Sequence, residues 1–100
     1  MDILFGSNRV KKLCERARGK LRRRLDDIQA VDNLSVLQTL PGRCHLLRGN
    51  RSGQWALDLD HPQRLIFEPH GDPLPLLPDG RLDAARITAI RIIEIVDYHG

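Results

Sequence analysis

The side chains best suited to chemistry in this sequence are two histidines and two arginines, His45, Arg48, Arg64 and His99. Metal-free RNA cleavage needs a base for the 2′-hydroxyl proton, an acid for the leaving 5′ oxygen, and cations for the charge that develops on phosphorus. Histidine serves as either base or acid because its ordinary pKa of about 6.5 lies near neutrality. Arginine binds phosphate through paired hydrogen bonds. Together these residue types favour phosphodiester cleavage in RNA.

Three more polar groups stand at the C-terminal end of an apolar segment, in the order Asp97, Tyr98, His99. A strand fixes the backbone that carries such groups, and a tyrosine there can stack on a base. Each candidate also has a purely structural interpretation. The terminal group fits a polar tail, His45 fits a surface residue of a strand, and Arg64 fits an ion pair with a carboxylate.

Positive charge is concentrated in the first half of the chain. Residues 1–50 hold 11 Lys and Arg against 5 Asp and Glu, whereas residues 51–100 hold 5 against 8. Such asymmetry favours a polyanionic partner, RNA or DNA ahead of an acidic protein or a membrane, although a solvated helix face gives the same pattern. The residues expected to bind RNA are Lys11, Lys12, Arg22, Arg23, Arg24 and Arg51.

The elements that must position these residues are helical at first. Ile3–Phe5 predicts a brief strand or an extended arm, and Ser7 or Asn8 predicts a helix cap. Apolar residues then recur at helical spacing from Val10 to Ile28, with Gly19 marking a bend or a break between two helices. A second cap at Asp32-Asn33 predicts a short helix over 34–38.

The period then changes to that of strands. Short β-like runs cover 43–47, 54–59 and 64–68, and the alternation in 55–59 directs Trp55, Leu57 and Leu59 to the core. A loop from Pro69 to about Asp83 contains four prolines, and Ile87–Tyr98 is apolar on both faces, as a central strand is. The predicted fold is α+β, with N-terminal helices packed on a twisted antiparallel sheet of about four strands, the last one central.

Length and composition restrict the class of protein. One hundred residues fit a single domain, 1–100. Cys14 and Cys44 give no disulfide framework, and Cys44-His45 are adjacent rather than at chelate spacing, so no metal or other cofactor is expected. No apolar run reaches the roughly 18 residues of a membrane span. The expected location is a reducing cytoplasm, without a membrane partner.

Two segments together resemble a known family. The stretch LPGRCHLLRGNRSGQWALDLDHPQRLIFEP, followed by a proline-rich loop and ITAIRIIEIVDYHG, looks like the HigB-type killer toxins of the RelE/ParE superfamily in bacterial type II toxin–antitoxin systems. The match covers roughly residues 33–100. The order and spacing of its segments carry the specificity, because GQW, RLIF or DYH alone would be weak signals.

The resemblance implies a ribosome-dependent mRNA endonuclease that cuts codons in the A site of the 70S ribosome. A HigA-like helix-turn-helix antitoxin would neutralise it and link it indirectly to operator DNA. The family's strand histidine falls on His45, its basic residue three positions later on Arg48, and the arginine of its RLxF strand on Arg64. The terminal group falls on Asp97, Tyr98 and His99.

The sequence departs from the family pattern in three places. Arg48 replaces a residue that is commonly lysine, Pro62 replaces one that is often polar, and the N-terminal helical region is short. In this light the basic helix is expected to contact ribosomal RNA, with an acidic antitoxin as the alternative. Two other functions stay open. One is a ParE-like toxin that binds DNA gyrase without cleaving RNA, and the other is an inactive homologue retained as an antitoxin partner.

Overall fold

One strand and three helices form the first part of the chain. The structure, a computed structural model, describes residues 1–97. Strand β1 spans Asp2–Phe5, and it is followed by helices α1 (Asn8–Glu15), α2 (Gly19–Ala30) and α3 (Leu34–Leu37). The remaining strands are β2 (His45–Leu46), β3 (Trp55–Asp58), β4 (Gln63–Pro69) and β5 (Ala89–Asp97), with single 3₁₀ turns at Gly49–Arg51 and Ala84–Arg86.

Local side-chain and backbone signals set the helix boundaries. The Ser7 hydroxyl accepts a hydrogen bond from the Val10 amide at 3.2 Å, and the Asn33 side chain accepts one from Val36 at 3.1 Å. Both satisfy amides that a helix N-terminus leaves without a partner. Gly19 has φ +60°, in the left-handed region that favours glycine, and it separates α1 from α2. The predicted caps and the break at Gly19 are confirmed.

The five strands form one mixed sheet in the order β1-β5-β4-β3-β2. Every neighbouring pair is antiparallel except β1 with β5, which is parallel. The α+β class is confirmed, and β5 lies inside the sheet between β1 and β4. The sheet has five strands rather than about four and is mixed rather than antiparallel, because residues 2–5 add an edge strand that pairs in parallel with β5.

The three helices cover one face of this sheet. Core residues on that face include Leu57, Leu65, Phe67, Ile90 and Ile92, all fully buried. They pack with Val10, Cys14, Leu25, Ile28, Leu34 and Leu37 of the helices. Trp55, Leu57 and Leu59 are buried, as their alternation predicted. The opposite face of the sheet carries no helix among residues 1–97, and we call it the open face.

One residue of the predicted apolar stripe lies outside this core. Leu13 is 48% exposed, whereas Cys14 is buried beside Val10. The predicted stripe runs from Val10 through Leu13 to Ile28, on both sides of the bend or break expected at Gly19. Helix α1 is only two turns long and ends at Glu15. It therefore buries just two residues one turn apart, Val10 and Cys14. The long segment after β4 has no helix or strand through residue 83 beyond an isolated bridge between Leu76 and Leu82.

Burial makes Cys44 an unreactive thiol in the folded protein. Desolvation raises its pKa from 9.0 to about 12. At pH 8 the thiolate is therefore about a thousandfold less populated in the native state than in the unfolded state. We expect iodoacetamide at pH 8 to leave Cys44 unmodified in the native protein and to alkylate it readily in denaturant, as measured by mass spectrometry.

The same pKa shift makes folding stability depend on alkaline pH. The protonated thiol is favoured in the native state, so its contribution is complete below pH 9 and falls as the pH rises towards about 12. A Cys44→Ser variant is expected to lose that part of the alkaline slope. Equal alkylation rates for native and unfolded protein would contradict the burial of this thiol.

Candidate functional site

The pleat of the sheet places most of the sequence-predicted chemistry on the open face. Strand register aligns His45 with Ala56, Ala56 with Ile66, and Ile66 with Glu94. A second row aligns Asp58 with Arg64. Alternate residues of a strand point to opposite faces. Because Leu57 and Leu65 belong to the core on the helical side, Asp58 and Arg64 belong to the open face.

The ring of His45 is oriented by the backbone of Arg43. Its Nδ1 lies 2.6 Å from the Arg43 carbonyl oxygen, which can only accept, so Nδ1–H donates this hydrogen bond. In the neutral imidazole Nε2 then holds the lone pair and can accept a proton. Arg43 itself has φ +52°, a conformation that side-chain-bearing residues seldom adopt. This strained turn therefore sets both the tautomer and the orientation of His45.

Asp58 joins two arginines at the end of the β3–β4 hairpin. Its Oδ2 accepts a hydrogen bond from Arg43 Nε at 3.0 Å, and its Oδ1 lies 3.2 Å from Arg64 Nε. The three side chains border an open cleft of about 450 Å³, which we call the Asp58 cleft; it is also lined by Leu59, His61, Pro62 and Gln63. In this cleft two arginines thus meet on the carboxylate of Asp58.

A second ion pair crosses the open face. Arg51 Nη2 lies 2.5 Å from Glu94 Oε1, and Arg51 Nη1 donates to Gln54 Oε1 at 3.0 Å. Arg51 precedes β3 whereas Glu94 lies on β5, so the arginine spans β3 and β4. Ala56 and Ile66, which lie between, are fully buried. Arg48 is exposed at the start of the Gly49–Arg51 turn, one residue beyond Leu47.

The C-terminal end of β5 reaches the edge of the Asp58 cleft. Asp97 is exposed and pairs with Gln63, a cleft residue, while Val96 pairs with Arg64. Pairing of β4 with β5 therefore brings Asp97 near Arg64, although the two side chains belong to opposite faces of the sheet. Tyr98 and His99, the other two members of the predicted terminal group, lie outside the described residues.

The predicted RNA-binding residues of the helices lie on the other layer of the molecule. Lys11, Lys12 and Arg23 are exposed on α1 and α2. Arg22 pairs with Asp26 at 3.2 Å. Arg24 is turned inward: its side chain is 12% exposed, and it contacts Asp27 at 3.3 Å and the Asp58 carbonyl oxygen at 3.3 Å. The helical cations and the open face are therefore separated by the sheet.

Sequence reasoning missed three residues of the Asp58 cleft: Arg43, Asp58 and His61. A local signal existed for Asp58, since it stands between Leu57 and Leu59 in an alternating strand and so had to face away from the core. Arg43 follows the turn residues Pro41-Gly42 and begins the predicted β-like run 43–47, whereas in the structure it precedes β2 and has a positive φ. No sequence signal pairs it with Asp58, 15 residues away.

Two classes of feature are missing from residues 1–97. No three His, Cys, Asp or Glu side chains among them are grouped so as to hold a metal ion. None of their helices combines the length and apolar character needed to cross a bilayer.

Comparison with solved structures gives a clear result for the fold. The YoeB/ParE toxin from Agrobacterium tumefaciens superposes with a TM-score of 0.59, covering 99% of this chain and 100% of that one. The chain has a YoeB/ParE-like toxin fold. Sequence identity to this toxin is 12%, so the likeness concerns architecture. Neither a protein-family model nor a curated protein matches the sequence. The predicted α+β fold, with N-terminal helices packed on a sheet, agrees with the architecture of this toxin.

Proposed function

We propose that this protein is a HigB-type toxin of a type II toxin–antitoxin system, acting as a ribosome-dependent, metal-free mRNA endoribonuclease. The observation that carries the proposal is the orientation of His45. Its Nδ1–H is fixed on the Arg43 carbonyl, so Nε2 is the proton acceptor, on the same sheet face as the arginines of the Asp58 cleft. A YoeB/ParE-like fold supports the toxin assignment.

The reaction would proceed by attack of the 2′ oxygen on the adjacent phosphorus. His45 Nε2 takes the 2′-hydroxyl proton as the new O–P bond forms, and the bond from phosphorus to the 5′ oxygen breaks. The products are a 2′,3′-cyclic phosphate and a free 5′ hydroxyl. Arg64 and Arg48 offset the charge that develops on the phosphoryl oxygens.

The terminal group would complete this mechanism. In the proposal His99 gives a proton to the departing 5′ oxygen, Tyr98 stacks on a base, and Asp97 orients the group. Asp97 supports this placement, because its pairing with Gln63 brings the end of β5 to the Asp58 cleft. Arg48 replaces the family's lysine and keeps its charge, but it does not titrate and so contributes as an electrostatic group only.

The partners proposed are the 70S ribosome with mRNA in its A site and a HigA-like helix-turn-helix antitoxin. The antitoxin would also connect the toxin indirectly to operator DNA. Lys11, Lys12 and Arg23 project from the helical layer, away from the open face. In the proposal these three residues contact ribosomal RNA while the open face holds the message. Such contacts are independent of sequence and weaken with salt. We place this activity in the cytoplasm, where ribosomes and mRNA are found.

Primer extension on a defined mRNA tests the proposed activity directly. Purified protein is incubated with the message in the presence and in the absence of programmed 70S ribosomes. We expect cuts at fixed positions within codons, and only when ribosomes are present. Cuts in both reactions would contradict ribosome dependence. An absence of cuts together with inhibition of DNA gyrase supercoiling would instead establish the ParE-like alternative.

A further inference from the structure

In the Asp58 cleft a carboxylate of the chain itself, that of Asp58, lies where two arginines would bind an anion. Two guanidinium groups converge on one carboxylate, Arg43 on Oδ2 at 3.0 Å and Arg64 on Oδ1 at 3.2 Å. Arginine binds the oxygens of carboxylate and phosphate with the same planar geometry. We infer that Arg43 and Arg64 form a phosphate-binding site, and that Asp58 is an internal competitor that the phosphate displaces.

The contacts of the Asp58 carboxylate are weak enough for a phosphate to displace it from the two arginines. Its Oδ1 is buried and makes no hydrogen bond among the described residues, although Arg64 Nε lies within ion-pair distance. A buried carboxylate oxygen without a hydrogen bond has lost its hydration, and no hydrogen bond offsets the free-energy cost of that loss. The Asp58 side chain is 36% exposed and the Arg43 side chain 64%. The Arg43–Asp58 ion pair is therefore partly exposed to water, which weakens the attraction between its two charges.

The Asp58 carboxylate also keeps Arg43 and Arg64 close together when no phosphate is bound. Two guanidinium groups around one cleft repel each other, and a carboxylate between them offsets that repulsion. Asp58 is held in place from its backbone as well, since its carbonyl oxygen accepts a hydrogen bond from the inward-facing Arg24. A phosphate entering the cleft brings more charge than the carboxylate and takes over both arginines. Only the identity of the anion, an RNA phosphate, rests on the proposed function.

A phosphate titration followed by NMR tests this inference. Inorganic phosphate is added to the ¹⁵N-labelled full chain, and the arginine Nε–Hε signals report both the affinity and the location of binding. Asp58→Asn removes the competing charge with little change in shape. We expect it to bind phosphate about tenfold more tightly than the wild type, or about 1.4 kcal/mol. The shifts are expected at Arg43 and Arg64.

Asp60→Asn is the matched control, because it removes one negative charge from an exposed carboxylate that contacts only Lys20, at 3.6 Å, among the ion pairs of residues 1–97. Its affinity should equal that of the wild type. Unchanged or weaker binding by Asp58→Asn would overturn the inference. So would equal tightening in both variants, or the absence of phosphate-induced shifts at Arg43 and Arg64.

A second pair of variants keeps the test decisive if Asp58→Asn does not fold. Arg43→Gln is expected to weaken phosphate binding, whereas Arg81→Gln, another exposed arginine paired with an aspartate, is not. Equal affinities of these two variants would overturn the site. The proposed cleavage is judged separately by the ribosome assay. A chain that fails to cleave but shows tighter binding in Asp58→Asn keeps the anion site and loses the nuclease.

Discussion

Replacing His45 by alanine is expected to lower ribosome-dependent mRNA cleavage by about 10²–10⁴-fold, the range that general acid–base groups contribute. The physical reason is the hydrogen bond from Nδ1 to the Arg43 carbonyl, which leaves Nε2 as the proton acceptor. The substitution removes that acceptor and its orientation together. Single-turnover primer extension at saturating ribosome concentration measures the effect on the chemical step.

His70→Ala supplies the control for this experiment, because His70 is an exposed histidine beyond the end of β4. Cleavage by that variant should match the wild type. His45→Ala is expected to keep its circular dichroism spectrum and its binding to the antitoxin, since His45 lies outside the hydrophobic core. Undiminished cleavage by a folded His45→Ala protein would show that His45 is not the base that accepts the 2′-hydroxyl proton.

Replacing Phe67 by alanine is expected to destabilise the protein by about 3–5 kcal/mol. Phe67 is fully buried on β4, and it stacks on Trp55 of β3 with ring centroids 6.4 Å apart at an interplanar angle of 22°. Truncation leaves a cavity in the layer between sheet and helices. A domain of this size is stabilised by only about 5–15 kcal/mol, so the loss is a large share of the total.

Urea denaturation followed by tryptophan fluorescence measures this loss, because Trp55 lies against the substituted side chain. Leu76→Ala is the matched control, since Leu76 is 58% exposed in the loop after β4 and should change stability by less than about 0.5 kcal/mol. Equal unfolding midpoints for the two variants would show that Phe67 does not organise the core.

Much of the local structure follows from signals only a few residues long. Ser7 and Asn33 cap helices at the predicted positions, and Gly19 breaks the helical stripe where its left-handed backbone is needed. The alternation at Trp55, Leu57 and Leu59 gave the correct face of β3. Each of these features depends on neighbours within one helical turn or one strand. The few residues around each cap, turn or strand are therefore sufficient to predict it.

The candidate site was predictable in its residue types and only partly in its geometry. His45 and Arg64 were identified as chemically useful residues, and the structure places them on one sheet face through the register of β2, β3 and β4. Arg24, one of the residues predicted to bind RNA, contacts Asp27 and the Asp58 carbonyl oxygen within the chain. Whether a basic side chain faces solvent or a distant part of the chain, as Arg24 faces the Asp58 carbonyl oxygen, is decided by the packing of elements far apart in sequence.

The sequence by itself thus determined the α+β class, the helix caps at Ser7 and Asn33, and the chemistry that the side chains offer. Tertiary structure alone decided that β1 pairs in parallel with β5, more than 80 residues away, and that Arg43 and Arg64 meet on Asp58. The reason is physical. Caps, turns and alternation are short-range preferences, whereas strand pairing and ion-pair partners are fixed when the entire apolar surface is buried at once.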